Sequence, residues 1–291
     1  MGKKYVETVV NGGLGNQIFQ FSAGFALSKR LNLDLVLNIS TFDSCQKRNF
    51  ELYTFPKIKN SFACIKDDDP GVFSRLRIPF LNFKEKIKQF HESHFFFDPA
   101  FFDIREPVRI EGYFQSYKYF EKYSDQLKDI LLDIPLTSRL KTVLKVISSK
   151  KESVSVHIRR GDYISDQGIN EVHGTLNEAY YLNSIKLMEK MFPESFFFLF
   201  TDDPHYVEEN FKFLEDTSCI ISDNDCLPYE DMYLMANCHH NIIANSSFSW
   251  WGAWLNQNPE KIVIAPRKWF SRKILMEKPV MDLLPDDWIL L

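Results

Sequence analysis

Apolar positions along this chain alternate between two periods. Short β-rich runs predict strands over 5–10, 34–39, 153–158, 196–200, 218–222, 241–244 and 261–265. Apolar residues spaced by three and four predict helices over 17–31, 178–191, 204–213, 229–238 and 248–256. In the first of these, Ile18, Phe21, Phe25 and Ala26 share one face. The stretch from 42 to 105 fits neither period and is assigned no element. Order returns at 108–113, followed by a helical stretch over 119–132.

The first half therefore opens as a β-loop-α-β unit, and the second alternates strictly between apolar strands and helices. Strands buried on both faces imply parallel sheets, so the fold class is α/β. A basic, serine-containing connector over 138–151 divides the chain. It leaves an N-terminal domain at 1–150 and a C-terminal domain at 151–291, whose last helix or tail could pack back on the first.

Composition narrows the function. The formal charge of −4 over 291 residues argues against a nucleic-acid protein working by bulk electrostatics, so an anionic ligand needs local positive charge. The five cysteines are scattered without a C-x-x-C pair, which disfavours a disulfide framework or a zinc knuckle and suits a reducing compartment. Residues 1–4 lead into a strand without the apolar stretch of a signal peptide, and charges interrupt even the Phe-rich regions. The expected location is the cytoplasm, with a peripheral contact at the inner membrane face left open. Phe95 to Phe97, Phe101 and Phe102 are expected in the core. Oligomeric state is not readable.

Ligands of parallel sheets bind beyond the carboxyl ends of the strands. Four groups of polar residues fall there. Arg159 and Arg160 follow the strand ending at Ile158, where Gly161 breaks the run and Asp162 follows. Paired guanidiniums suit a diphosphate, because each stays ionised and its fork matches phosphate oxygens. The segment alone suits a surface Arg–Asp ion pair equally well. Asp202 and Asp203 follow another strand, Asp203 as a helix N-cap and Asp202 as an acceptor for a ribose or sugar hydroxyl. Adjacent carboxylates are weak evidence for a metal, and none is expected. Asn245, Ser246 and Ser247 open a helix, whose free N–H groups attract anions. Simple N-capping by either serine is the alternative. Trp250, Trp251 and Trp254 at helical spacing are expected in the core. Lastly, Gly12-Gly13-Leu14-Gly15-Asn16-Gln17 resembles the dinucleotide fingerprint, but Ile18 occupies the third glycine position. The loop is a tight turn or a close backbone approach to a ligand.

Taken in order, these blocks resemble the α-1,2-fucosyltransferases of glycosyltransferase family 11. The matching segments are Gly12 to Gln17, Glu111-Gly112-Tyr113-Phe114-Gln115-Ser116, His157 to Tyr163, Thr201-Asp202-Asp203 and Asn245 to Trp251. The resemblance implies a GT-B-like fold, two Rossmann-like domains facing across a cleft. It also implies an inverting transfer of fucose from GDP-β-L-fucose to the 2-hydroxyl of a terminal galactose, without metal or other cofactor. Partners would be GDP-fucose and a galactose-terminated glycan. Arg159 would bind the β-phosphate, with Arg160 and His157 beside the nucleotide. Asp231, at the family's position before the first loop serine, would read guanine. From residues alone it is an acidic group suited to a helix N-terminus. Asn16 would face the donor, and Gly13 and Gly15 would let the backbone approach it.

The general base is not evident. Asp162 could serve or could pair with Arg160, while Glu171 and His173 are weaker candidates. Two other readings remain: the same fold with another acceptor or GDP-sugar, such as GDP-mannose, and a non-catalytic GDP-sugar or glycan-binding protein.

Overall fold

The computed structural model describes residues 5–44, 48–66, 87–93, 95–161, 168, 171–172, 174–214, 216–221, 227–271 and 282–291. The chain divides into two compact units, Met1–Ile134 with Pro279–Leu284 and Pro135–Lys278 with Pro285–Leu291. The break falls at Ile134/Pro135, ahead of the sequence-derived boundary at 150/151. The connector is the reason. Its helix Ser138–Ser148 is capped by Thr137, whose Oγ1 accepts the Leu140 N–H, and Arg139 is tied to Glu230 and Asp231 of the second unit.

The first unit holds a parallel sheet of β1 (Tyr5–Val9), β2 (Asp34–Asn38), β3 (Ala63–Ile65), β4 (Lys88–His91) and β5 (Val108–Glu111). Their order is β3-β2-β1-β5-β4. Helix Leu14–Leu31 follows β1, and Gly24 lets it sit closely on the sheet: an added Cβ would stand 2.0 Å from Thr8 Oγ1. Among its described residues, the stretch left unassigned holds short elements, including helix Pro56–Ser61, β3 and β4. None spans enough residues to show a period. The Phe-rich expectation holds in part. Phe101 is fully buried among Phe90, Phe114 and Tyr119, whereas Phe102 is 40% exposed beneath the Arg30 guanidinium.

The second unit is a parallel sheet ordered β11-β10-β9-β6-β7-β8. Its strands are β6 (Glu152–Ile158), β7 (Ser195–Thr201), β8 (Ser218–Ile220), β9 (His240–Ile242), β10 (Val263–Ala265) and β11 (Ile289–Leu290). Val154, Val156, Ile158, Phe197, Leu199 and Ile242 carry its core. The indoles of Trp250 and Trp251 are completely buried and Trp254 nearly so, as their spacing predicts. The tail is shared. β11 completes the second sheet, while Asp282 belongs with the first unit, accepting from the Lys118 ammonium and the Phe97 N–H.

Candidate active site

Strand order locates the crevice in the second unit. From β6 the chain extends to β7 and β8 on one side, then returns to β9 on the other. The direction of growth reverses between β6 and β9, and a parallel sheet opens a ligand crevice at such a switch. The loops leaving β6 and β9 carry Arg159, Arg160, Asn245, Ser246 and Ser247, and Asp202 follows the end of β7 beside them.

The arginines are held, not loose. Asp202 Oδ2 sits 2.9 Å from Arg159 Nη1, and its Oδ1 accepts the Arg160 backbone N–H at 2.8 Å. One carboxylate thus binds a side chain and the backbone of the next residue. Gly161 makes room for it, since a Cβ there would lie 2.7 Å from Asp202 Oδ2. Arg160 stacks on the Tyr206 ring, guanidinium carbon 3.4 Å from the centroid, and donates from Nε to Asp203 Oδ2 at 3.4 Å. Asp203 caps the helix Pro204–Asn210, its Oδ1 accepting the Tyr206 N–H at 3.1 Å, as the sequence predicts. Among the described residues, Arg160 takes Asp203 and Tyr206 as partners. Asp162 and His173 lie outside the described residues, and Glu171 is exposed. The ion-pair reading of the arginine segment is realised, Arg159 with Asp202 and Arg160 with Asp203.

His157 is 5% exposed on β6, its ring 5.8 Å from that of Phe248. Burial, reinforced by the nearby Arg159 charge, pushes its pKa down to about 4, so the imidazole is neutral at pH 7. Among the described residues, its buried Nδ1 has no hydrogen-bond partner. Ser246 occupies the N-cap position of the helix Ser247–Leu255, yet its side chain caps nothing. The simple-capping alternative for Ser246 is therefore not the one the fold uses. Asn245 instead braces the loop, donating from Nδ2 to the Trp269 carbonyl at 3.2 Å and to that of Gly174 at 3.3 Å.

Asp231 stands in the first turn of helix Pro228–Ala236. Its Oδ1 accepts from Arg139 Nη2 at 2.7 Å, and the same nitrogen reaches the Ile221 carbonyl at 2.9 Å. Neighbouring Glu230 is buried and takes Arg139 Nη1 and the Thr137 hydroxyl. Sequence reasoning missed Arg139 and Tyr206. Both sit on ordinary amphipathic helices, and only tertiary packing brings them to the carboxylates.

The glycine loop belongs to the first unit. Gly12 has φ +76, and an added Cβ would meet Asn16 Nδ2 at 2.9 Å, so turn geometry explains it. Gly13 has an ordinary φ of −78 at the N-cap, and a Cβ there would meet only the Arg48 guanidinium at van der Waals distance, 3.7 Å. Neither φ nor packing among the described residues demands a glycine at 13. Gly15 is buried in the first helical turn, and Asn16 Oδ1 accepts from Gln115 Nε2 at 2.9 Å.

Known proteins resemble this chain over most of its length. The chain is 34% identical over 286 residues to an alpha-1,2-colitosyltransferase of Escherichia coli, covering 96% of each. It is 32% identical to the O-antigen biosynthesis glycosyltransferase WbnK of Escherichia coli, covering 90% of this chain and 94% of that protein. A galactoside 2-alpha-L-fucosyltransferase of Caenorhabditis elegans is 23% identical, covering 95% of this chain and 76% of the relative. Among solved structures, the fucosyltransferase NodZ from Bradyrhizobium superposes with a TM-score of 0.51 at 15% identity, covering 87% and 93% of the two chains. POFUT1 in complex with GDP-fucose gives 0.51 at 17%, covering 90% and 98%. These place the two α/β units in a GT-B-like fold. The glycosyl transferase family 11 model matches residues 2–290, and the chain belongs to that family of enzymes.

Proposed function

We propose that this enzyme transfers L-fucose from GDP-β-L-fucose to the 2-hydroxyl of a terminal galactose, with inversion and without a metal ion. The observation that carries the reading is the β6/β9 switch, whose strand-end loops bring Arg159, fixed by Asp202, and the Ser246–Ser247 helix start to the same sheet edge. Breaking the sugar–phosphate bond leaves added negative charge on GDP and oxocarbenium character on the sugar. A fixed guanidinium and helix N–H groups stabilise the departing diphosphate with little reorganisation. Neutral His157 offers a hydrogen bond rather than charge, and Asp231 reads the guanine edge. Asn16, with Gly13 and Gly15, approaches the donor from the glycine loop.

The α-1,2 linkage is supported by the names of two relatives, the colitosyltransferase and the galactoside fucosyltransferase. The first favours a second reading with the same linkage, because colitose is fucose lacking the 3-hydroxyl. A panel of GDP-fucose, GDP-colitose and GDP-mannose with galactosides, read by released GDP and product mass, separates these donors. Arg159→Ala is expected to lower turnover at least ~100-fold in a folded protein, on the scale of losing one preorganised oxyanion donor. Turnover near wild type in that variant would sink the assignment. Activity should persist in excess EDTA. Loss restored by Mg²⁺ or Mn²⁺ would refute metal independence.

A further inference from the structure

The first unit has a switch point of its own. From β1 the chain extends to β2 and β3 on one side, whereas β5 and β4 lie on the other, so growth reverses between β1 and β5. The loops leaving those strands are the glycine loop and the segment 112–116. They are bound into one piece. Gln115 donates to Asn16 Oδ1, and Gln20 Nε2 donates to the Gly112 carbonyl at 3.1 Å and to Asn11 Oδ1 at 3.1 Å. Gln20 Oε1 accepts the Asn11 N–H at 2.9 Å.

Glu92, one residue past β4, completes the frame. Its Oε2 accepts the Tyr113 and Phe114 N–H groups, both at 2.8 Å, and Gly112 must be glycine because a Cβ would lie 2.4 Å from Glu92 Cβ. Phe114 is held at φ +51, a left-handed conformation that costs a bulky L-residue on the order of 1 kcal/mol, with its ring fully buried. Between these anchors the Tyr113 ring stays 39% exposed, backed by Phe95 at 6.4 Å and 21° between planes.

The anchored, strained turn thus leaves part of an aromatic ring at the surface. That ring presents a flat apolar face, on which the C–H face of a pyranose can stack, and a phenol that can bond sugar hydroxyls. We infer that Tyr113 is the stacking platform for the terminal pyranose of the acceptor, and that Glu92 is the positioning residue that holds it. This rests on the proposed function only in requiring a sugar acceptor, whatever the donor. Burial pushes the Glu92 pKa up to about 7, with the Tyr119 hydroxyl and Asp98 as its titratable neighbours. Ordering Tyr113 through both N–H groups therefore does not demand a charged carboxylate: one acceptor oxygen suffices.

Saturation-transfer NMR of methyl galactoside, glucoside and N-acetylgalactosaminide with the full chain and GDP tests this apart from turnover. Wild type should bind at least one pyranoside. Tyr113→Ala should weaken that binding about 3- to 10-fold, the range of one stacking contact, while calorimetric GDP affinity stays constant. Tyr113→Phe should recover most of it. Glu92→Leu should behave as Tyr113→Ala does, and Glu92→Gln, which keeps an acceptor oxygen, as wild type. Equal pyranoside binding by wild type and Tyr113→Ala, or no binding by wild type, overturns the inference. So does parallel loss of GDP and sugar affinity in both Glu92 variants, which marks a purely structural role. Pyranoside binding without transfer from GDP-fucose would refute the proposed donor and leave the platform standing.

Discussion

The Asp202 carboxylate bears on Arg159 and on the Arg160 backbone at once, and it reaches both only because residue 161 has no side chain. Gly161→Ala is the smallest change that tests this grip. The new methyl would sit 2.7 Å from Asp202 Oδ2, too close for any real contact, so the carboxylate must withdraw. We expect GDP affinity to fall about tenfold, equivalent to one charge-assisted contact of roughly 1.4 kcal/mol, with thermal stability nearly unchanged. Unaltered affinity by calorimetry would show that Arg159 keeps its aim without Asp202. The residue scale is also where sequence reading reached furthest. That Arg159, Asp202 and Ser246 lie at the same sheet edge was legible because strand ends of a parallel sheet point one way, whereas the bonds of Asn245 to the Trp269 and Gly174 carbonyls were not. Gly161 was legible only as a turn, since its second use depends on a carboxylate from another strand.

Among the elements, long periodic helices and apolar strands were read from the chain to within a few residues. Helix Leu14–Leu31 and strand β6 carry a full period of apolar positions, whereas β3, β4 and helix Pro56–Ser61 are too short to carry one. Glu92 was missed for that reason, lying just past an unreadable strand. The junction of helix Leu14–Leu31 with β1 makes a prediction of its own. Gly24→Ala places a methyl 2.0 Å from Thr8 Oγ1 and 2.9 Å from Leu35 Cδ1, both in buried residues. Overpacking of this kind costs about 1–3 kcal/mol, and the helix cannot move off the sheet without loosening Phe21 and Phe25 as well. Urea denaturation should show a lower midpoint at unchanged slope. A midpoint equal to wild type would mean the helix sits more loosely than described.

For the whole molecule, two perturbed titrations of opposite sign distinguish the units. Glu92 in the first unit has a raised pKa, so its contribution is complete below the unfolded value of about 4.5 and lost as pH rises through about 7. His157 in the second has a lowered pKa, so its contribution is present above about 6.5 and lost as pH falls through about 4. Scanning calorimetry from pH 4 to 8 should therefore show the wild-type minus Glu92→Gln difference shrinking with rising pH. The wild-type minus His157→Gln difference should grow. The same slope in both would refute the opposed assignments.

The tail of the chain belongs to both units: Asp282 is bound by Lys118 of the first, and β11 extends the sheet of the second. No single cut therefore yields two self-sufficient fragments. A fragment ending at Ile134 lacks the carboxylate that Lys118 and Phe97 N–H share, and one ending at Lys278 loses the outermost strand of β11-β10-β9 as well. Residues 282–291 thus serve each fold separately, and a truncation that removes them takes a carboxylate from one unit and an edge strand from the other.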